Sequence, residues 1–345
     1  MPVSKFNPMP ILIGGLIAVG VIVGVAIVLW NDPSGENGSG LPEDFDYSLE
    51  KYQKIDPALI AYRQTAEIPL DMKEPRSVAT GPDDKIYVVG DKTLAVFSAA
   101  GKSIKTISLE DEPRCVAVAG DDLVFPGRIY LGMKDRVAVF DTLDSAAKTW
   151  ESLGEKANLT SLAAAEQNVF AADAGNRIVW HYDASGRVLG RIGEKDESRN
   201  ISGFVIPSPH FDLAVAPDGL LRVVNPGSHK IEAYTFDGHL ELLWGVRGLD
   251  VPAFCGCCNP AALALLPDGR FVTGEKGISR VKIYDAEGKF ECVVVGPDAL
   301  TPNFSAVTET RDDLRLHAID LAADSKSRII VLDPNAKKLR IFERK

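Results

Sequence analysis

The stretch NRIVWHYDASGRVLG (176–190), preceded by SLAAAEQNVFAAD (161–173), reads as four short strands. A strand of small and aliphatic residues leads through a polar turn into a second strand. A polar or basic corner follows, then a third strand ending in an aromatic residue plus Asp, then a fourth. Strands of this length joined by tight polar turns form one antiparallel four-stranded unit.

The same pattern occurs six times along the chain. Its opening strands fall at 77–80, 115–119, 161–165, 212–216, 262–266 and 320–323, and its third strands at 94–97, 137–140, 178–182, 231–236, 281–284 and 339–342. The spacing of roughly 40 to 55 residues is that of propeller blades. Apolar and polar residues alternate in the third strands, which predicts half-buried strands. The turns PDD (82–84), DASG (183–186), PDG (217–219), FDG (236–238), PDG (267–269) and DAEG (285–288) supply residues suited to tight reversals. The predicted fold is therefore all-β, a six-bladed propeller of four-stranded antiparallel blades. The sixth copy ends at Lys345 with only three strands, while IAYRQTAEIPL (60–70) is a strand with no blade of its own. Its predicted place is the outer edge of blade six, closing the ring and covering exposed sheet edges.

From about residue 60 to the C-terminus these repeats resemble the NHL-repeat six-bladed propellers. ADAGNRIVWHYDASGRVLG (172–190) is the most typical copy, and blade five carries GEKGISRVKIYDAEGKF (274–290) in place of the usual acidic corner. The resemblance implies the fold. It does not select a function, because that wider family includes scaffolds, sensors, nucleic-acid binders and a metal-dependent amidating lyase.

Residues 11–30 form an uninterrupted run of apolar residues and glycine. As a helix such a run reaches about 30 Å, one hydrocarbon thickness. It is longer than the apolar part of a signal peptide and ends in Val28, Leu29 and bulky Trp30, with no small-residue cleavage pattern, so a permanent transmembrane helix is expected. Lys5 precedes it, whereas Asp32, Glu36, Glu43, Asp44 and Asp46 follow, which puts residues 1–10 in the cytoplasm as a short tail. The sequence of residues 31–58 opens with NDPSGENGSG, the composition of a flexible tether, and residues 59–345 form the propeller. The expected protein is single-pass in the cell membrane, with its propeller extracytoplasmic, periplasmic in a Gram-negative cell.

Lys and Arg number 38 against 48 Asp and Glu, a net charge of -10. Nucleic acid is excluded as a partner, because phosphate backbones call for a concentrated basic face. Lys337, Lys338, Arg340 and Arg344 read as a solvated strand edge. A protein partner in or at the membrane is expected instead.

The residues that stand out chemically are FCGCCNP (254–260), with Cys255, Cys257 and Cys258, on the connection from blade four to blade five. That position lies on the propeller face near the central channel, where loops from many blades converge. Three readings fit the thiols. They form a structural disulfide, among themselves or with Cys115 or Cys292. They bind a metal ion, although C-x-C-C matches no zinc-ribbon or ferredoxin spacing. Or they exchange electrons through Cys257 and Cys258. Cys115 opens the inner strand of blade two and reads either as facing this loop or as a small buried apolar residue. Five cysteines leave at least one unpaired within the chain.

The channel-facing positions of the other inner strands are Ser77, Ser161, Asp212, Ala262 and Asp320. The two carboxylates suit either a hard cation or backbone amides of an adjacent loop. His210 and His317 precede blades four and six but stand one residue out of register, which weakens a lyase-like metal channel; His181, His229 and His239 fall on outer strands or turns. Glu275, Lys276 and Arg280 lie across a turn from the cysteine loop, where they receive an anionic ligand or a protein carboxylate, or pair internally. No nucleophile elbow, phosphate-binding loop, zinc-protease helix or haem-attachment motif occurs. The sequence thus points to a membrane-anchored propeller that binds a protein partner or small ligand at the channel face. The alternative is a metal-dependent or thiol-redox enzyme with its site at the channel mouth.

Overall fold

The computed structural model of the chain describes residues 52, 54–120, 124–199, 201–300 and 318–345. The predicted tail, membrane helix and most of the tether lie outside the described residues, as does His317. None of the described helices is long and apolar enough to cross a membrane.

Strand β1 (Tyr62–Pro69) comes first. Blade one follows as β2 (Pro75–Thr80), β3 (Ile86–Gly90), β4 (Thr93–Phe97) and β5 (Ser103–Ser108), and blade two as β6 (Cys115–Val118), β7 (Ile129–Gly132), β8 (Val137–Phe140) and β9 (Lys148–Thr149). Blade three is β10 (Leu159–Ala165), β11 (Asn168–Asp173), β12 (Ile178–Asp183) and β13 (Val188–Ile192); blade four is β14 (Leu213–Val215), β15 (Leu221–Asn225), β16 (Lys230–Tyr234) and β17 (Leu240–Trp244). Blade five is β18 (Ala262–Leu265), β19 (Phe271–Gly274), β20 (Val281–Tyr284) and β21 (Phe290–Val295), and β22 (Asp320–Ala323), β23 (Ile329–Asp333) and β24 (Lys338–Arg344) begin blade six. Each of the six sheets has four antiparallel strands in simple up-and-down order. The PDG turns work as their residues dictate. Gly219 and Gly269 take φ of 79° and 85°, a left-handed conformation that suits glycine, and donate to the Ala216 and Leu266 carbonyls at 2.9 Å.

The ring closes as the sequence predicts. Strand β1 pairs antiparallel with β24, from Tyr62 opposite Arg344 to Pro69 opposite Lys338, with a bulge at Gln64 and Ala66. The Ala61 amide also donates to the Val293 carbonyl of β21 at 3.1 Å, tying the closing strand to blade five.

Three of the third strands differ from expectation. β4 is buried on both faces, and β8 and β20 are buried along their whole length, whereas β12, β16 and β24 keep partly exposed positions. Period-2 alternation here separates two neighbours, not core from solvent. On β8, Val137 and Val139 pack toward blade three and Ala138 and Phe140 toward blade one. On β3, Ile86 and Val88 face blade six while Tyr87 and Val89 face blade two. The core is therefore a circle of seams between blades, and burying both faces of every blade requires the circle to be complete.

A chain beginning at Asp71 lacks β1 and leaves the β24 edge open. The expected outcome is loss of the single cooperative thermal transition and association through the bared edge, read by calorimetry and size-exclusion chromatography.

Candidate functional site

The inner strands carry a belt of hydrogen bonds from blade to blade. Ser77 Oγ accepts the Val116 amide at 3.4 Å, Ser161 Oγ the Leu213 amide at 3.3 Å, Asp212 Oδ2 the Leu263 amide at 2.6 Å and Asp320 Oδ2 the Val78 amide at 2.8 Å. Each acceptor lies near the start of an inner strand and reaches the strand of the next blade. The equivalent residues of the two other seams, Cys115 and Ala262, lack an oxygen. The carboxylates thus serve as backbone acceptors, and each also takes the amide of the residue after it. Burial and the charge of Asp320 push the Asp212 carboxyl up to about 7, and burial raises Asp320.

Above this belt opens a cavity of about 170 Å³ lined by Arg76, Arg114, Thr160, His210, Asp212 and Asp320 among others. Arg76 pairs with Glu74 and Glu112. Arg114 donates to the Asn158 carboxamide but forms no ion pair among the described residues. Burial, and then the like charge of Arg76, weaken its hold on its proton. Burial and the Lys276 charge hold His210 down at about 4, so its ring is neutral at pH 7.

The cysteine loop stands at the rim of the same face. Lys276 Nζ donates to Ser208 Oγ at 2.8 Å, and Pro209 and His210, next in the chain, line the cavity. The Asn259 side chain clasps the corner after β19, donating to the Lys276 carbonyl at 3.0 Å and accepting its amide at 2.9 Å. His229, read from sequence as a turn residue, takes a left-handed backbone (φ 55°) and bonds the Gly256 carbonyl through Nε2 at 2.8 Å. No sequence signal marks that contact, which spans 27 residues.

One expectation is corrected. Glu275 and Arg280 are fully buried, so neither meets a ligand at the surface. Glu275 Oε1 accepts the Cys255 amide at 3.0 Å, while Oε2 pairs with Arg280 Nε at 2.7 Å and Lys282 Nζ at 3.2 Å. Lys282 also donates to the Val251 and Ala253 carbonyls, and burial, opposed by Glu275, brings it down to about 8. The pairing is internal, as buried charges require. Only Lys276 of the predicted trio is partly exposed.

All five cysteines are free thiols in this structure. Cys115 packs in the seam of blades two and three, where a side chain at Gly132 would run into its sulfur. Cys255 is buried beside Glu275, and both burial and that carboxylate raise its thiol. Among the described residues no three His, Cys, Asp or Glu side chains converge as metal ligands. Cys257 and Cys258 do come together, with sulfurs 3.1 Å apart. Burial raises Cys258, but the adjacent Lys276, Ser208 and Cys257 outweigh it and the net shift is downward; the Cys258 sulfur in turn raises Cys257.

No protein-family model matches the sequence, and no curated protein matches it. Solved structures share the fold. The chain is similar to selenomethionine-substituted virginiamycin B lyase from Staphylococcus aureus, with a TM-score of 0.55 and 11% identity over 82% of this chain and 100% of that one. It is likewise similar to a structural genomics protein of unknown function from Bacteroides thetaiotaomicron, with a TM-score of 0.56 and 14% identity over 82% of this chain and 72% of that one. The chain is thus a six-bladed propeller with lyase-like structural neighbours, and identities this low carry fold and no activity.

Two outcomes follow from the geometry. Glu275→Gln keeps an acceptor for Cys255 but strands two buried cations, and is expected to lower stability by about 3–5 kcal/mol in denaturant titrations. For Asp212 the folded carboxyl binds its proton more tightly than the unfolded one, so its stabilising contribution is full below the ordinary carboxylate range and is lost as pH rises through about 7. The excess of Tm at about pH 5 over about pH 8 is therefore expected to shrink in Asp212→Asn.

Proposed function

We propose that this chain is an NHL-like propeller, held at the cell membrane by residues 11–30 with its head extracytoplasmic, that binds an anionic small ligand or a carboxylate-bearing protein segment at the channel mouth. The observation that carries this reading is Arg114. It is a partly buried guanidinium, without an ion pair among the described residues, at the wall of a concave cavity. A desolvated cation gains most from an incoming anion, and an Arg fork suits a carboxylate in particular. Neutral His210 and the Thr160 hydroxyl on the same wall supply uncharged polar contacts that would orient the anion. The deeper carboxylates, Asp212 and Asp320, repel a second negative charge and would keep the ligand at the mouth.

Succinate, sulfate and inorganic phosphate serve as probes in thermal-shift titrations of the full-length chain. At least one is expected to raise Tm in a saturable manner, with the effect weakened about tenfold or more in Arg114→Ala. Equal responses of wild type and variant to all three would overturn the reading.

A further inference from the structure

The Cys257 and Cys258 pair takes no part in the channel cavity, yet it is held more firmly than a loop tip requires. The preceding turn is fixed by Glu275 to the Cys255 amide and by His229 to the Gly256 carbonyl. The following residue, Asn259, is clamped between the Cys255 and Lys276 carbonyls at 2.7 and 3.0 Å. Within this frame Cys257 is exposed and Cys258 is buried at 2%. Lys276 and Ser208, bonded to each other at 2.8 Å, lower the Cys258 thiol.

We propose that Cys257 and Cys258 form a dithiol–disulfide exchange pair, in which exposed Cys257 meets an incoming disulfide and buried Cys258 resolves the mixed disulfide. Once one proton has gone to solvent, the pair holds one proton between two sulfurs, and Lys276 favours the negative charge on Cys258. Cys257 passes its proton to Cys258 as its sulfur attacks the incoming disulfide. A Cys257–S–S–R bond forms, the incoming S–S bond breaks and one thiolate leaves. Cys258 then attacks the Cys257 sulfur, its proton goes to the second leaving sulfur, and the products are a Cys257–Cys258 disulfide, one thiol and one thiolate. Two electrons have moved from the pair to the incoming disulfide, and charge is conserved. Lys276 stabilises Cys258 as the resolving thiolate.

Adjacent residues across a trans peptide have Cα atoms about 3.8 Å apart, less than the roughly 4.4 Å or more of ordinary disulfides. A bond between neighbours is strained, so a partner dithiol reduces it readily, becoming a disulfide itself as the pair returns to two thiols. The exchange chemistry lies in the pair itself and needs no occupant at the channel mouth.

The test uses the reduced full-length chain in its folded state and an aromatic disulfide probe, 5,5′-dithiobis(2-nitrobenzoate). Wild type is expected to release about two equivalents of the coloured thiolate rapidly and to yield a Cys257–Cys258 disulfide on peptide mapping. Cys258→Ser is expected to release about one and to retain the probe on Cys257. Cys257→Ser, altered at an exposed position, is expected to react about tenfold or more slowly, since the remaining thiols are buried. In Lys276→Met the mixed disulfide on Cys257 is expected to persist about tenfold longer, with rescue by Lys276→Arg. Retention of the probe by wild type, first labelling at Cys258, or an unchanged rate in Cys257→Ser would each overturn the proposal.

Discussion

The pairing of β1 with β24 is the constraint on which the rest of the structure depends. Every blade buries both of its faces, and a linear stack of six would leave two broad apolar faces in water. Closing the stack removes both. It sets the first and last blades against each other through Val78, Val88, Ile330, Leu332 and Leu339. The strand that achieves this comes from the opposite end of the propeller sequence, so its hydrogen bonds join segments separated by all the intervening blades. Cooperativity is built into the topology.

The same closure brings the six inner strands together, and side chains near their starts share a task. Four of them reach an amide of the next blade, two as hydroxyls and two as carboxylates. Hydroxyls carry no charge and do this at little electrostatic cost. Carboxylates make shorter bonds but must be desolvated facing one another, which is why Asp212 is drawn toward neutrality. The strongest links of the belt are also its only titrating ones.

Blade five shows how one departure from the repeat produced the local chemistry. In blades one, three and four an Asp or Asn at the corner after the second strand accepts amides of the incoming connector: Asp91 those of Lys73 and Glu74, Asp173 that of Asn158, Asn225 that of Val205. Blade five has Glu275, whose longer side chain accepts the Cys255 amide and still reaches Arg280 and Lys282. The strand order, the closing strand and the belt positions were legible in the sequence because they repeat or follow from periodicity. The burial of Glu275 and Arg280 was not, since charged residues in a turn-like context read as exposed. Nor were the contributions of Arg114, Ser208 and His229. Their importance comes from contacts between distant segments that no local spacing encodes. The cysteines were conspicuous by composition, but only the fold separates Cys255, buried beside a carboxylate, from the adjoining pair.

Lys276 links the two halves of the channel face. Its ammonium bonds Ser208, lowers the Cys258 thiol and depresses His210 at the cavity wall. A thiolate at Cys258 partly neutralises that ammonium; a disulfide between Cys257 and Cys258 removes the thiolate and leaves the ammonium uncompensated. The positive field at the channel mouth is then stronger when the pair is oxidised than when it is reduced. An anion held near Arg114 and an oxidised cysteine pair would therefore favour each other through one shared cation, and linkage would make that preference reciprocal.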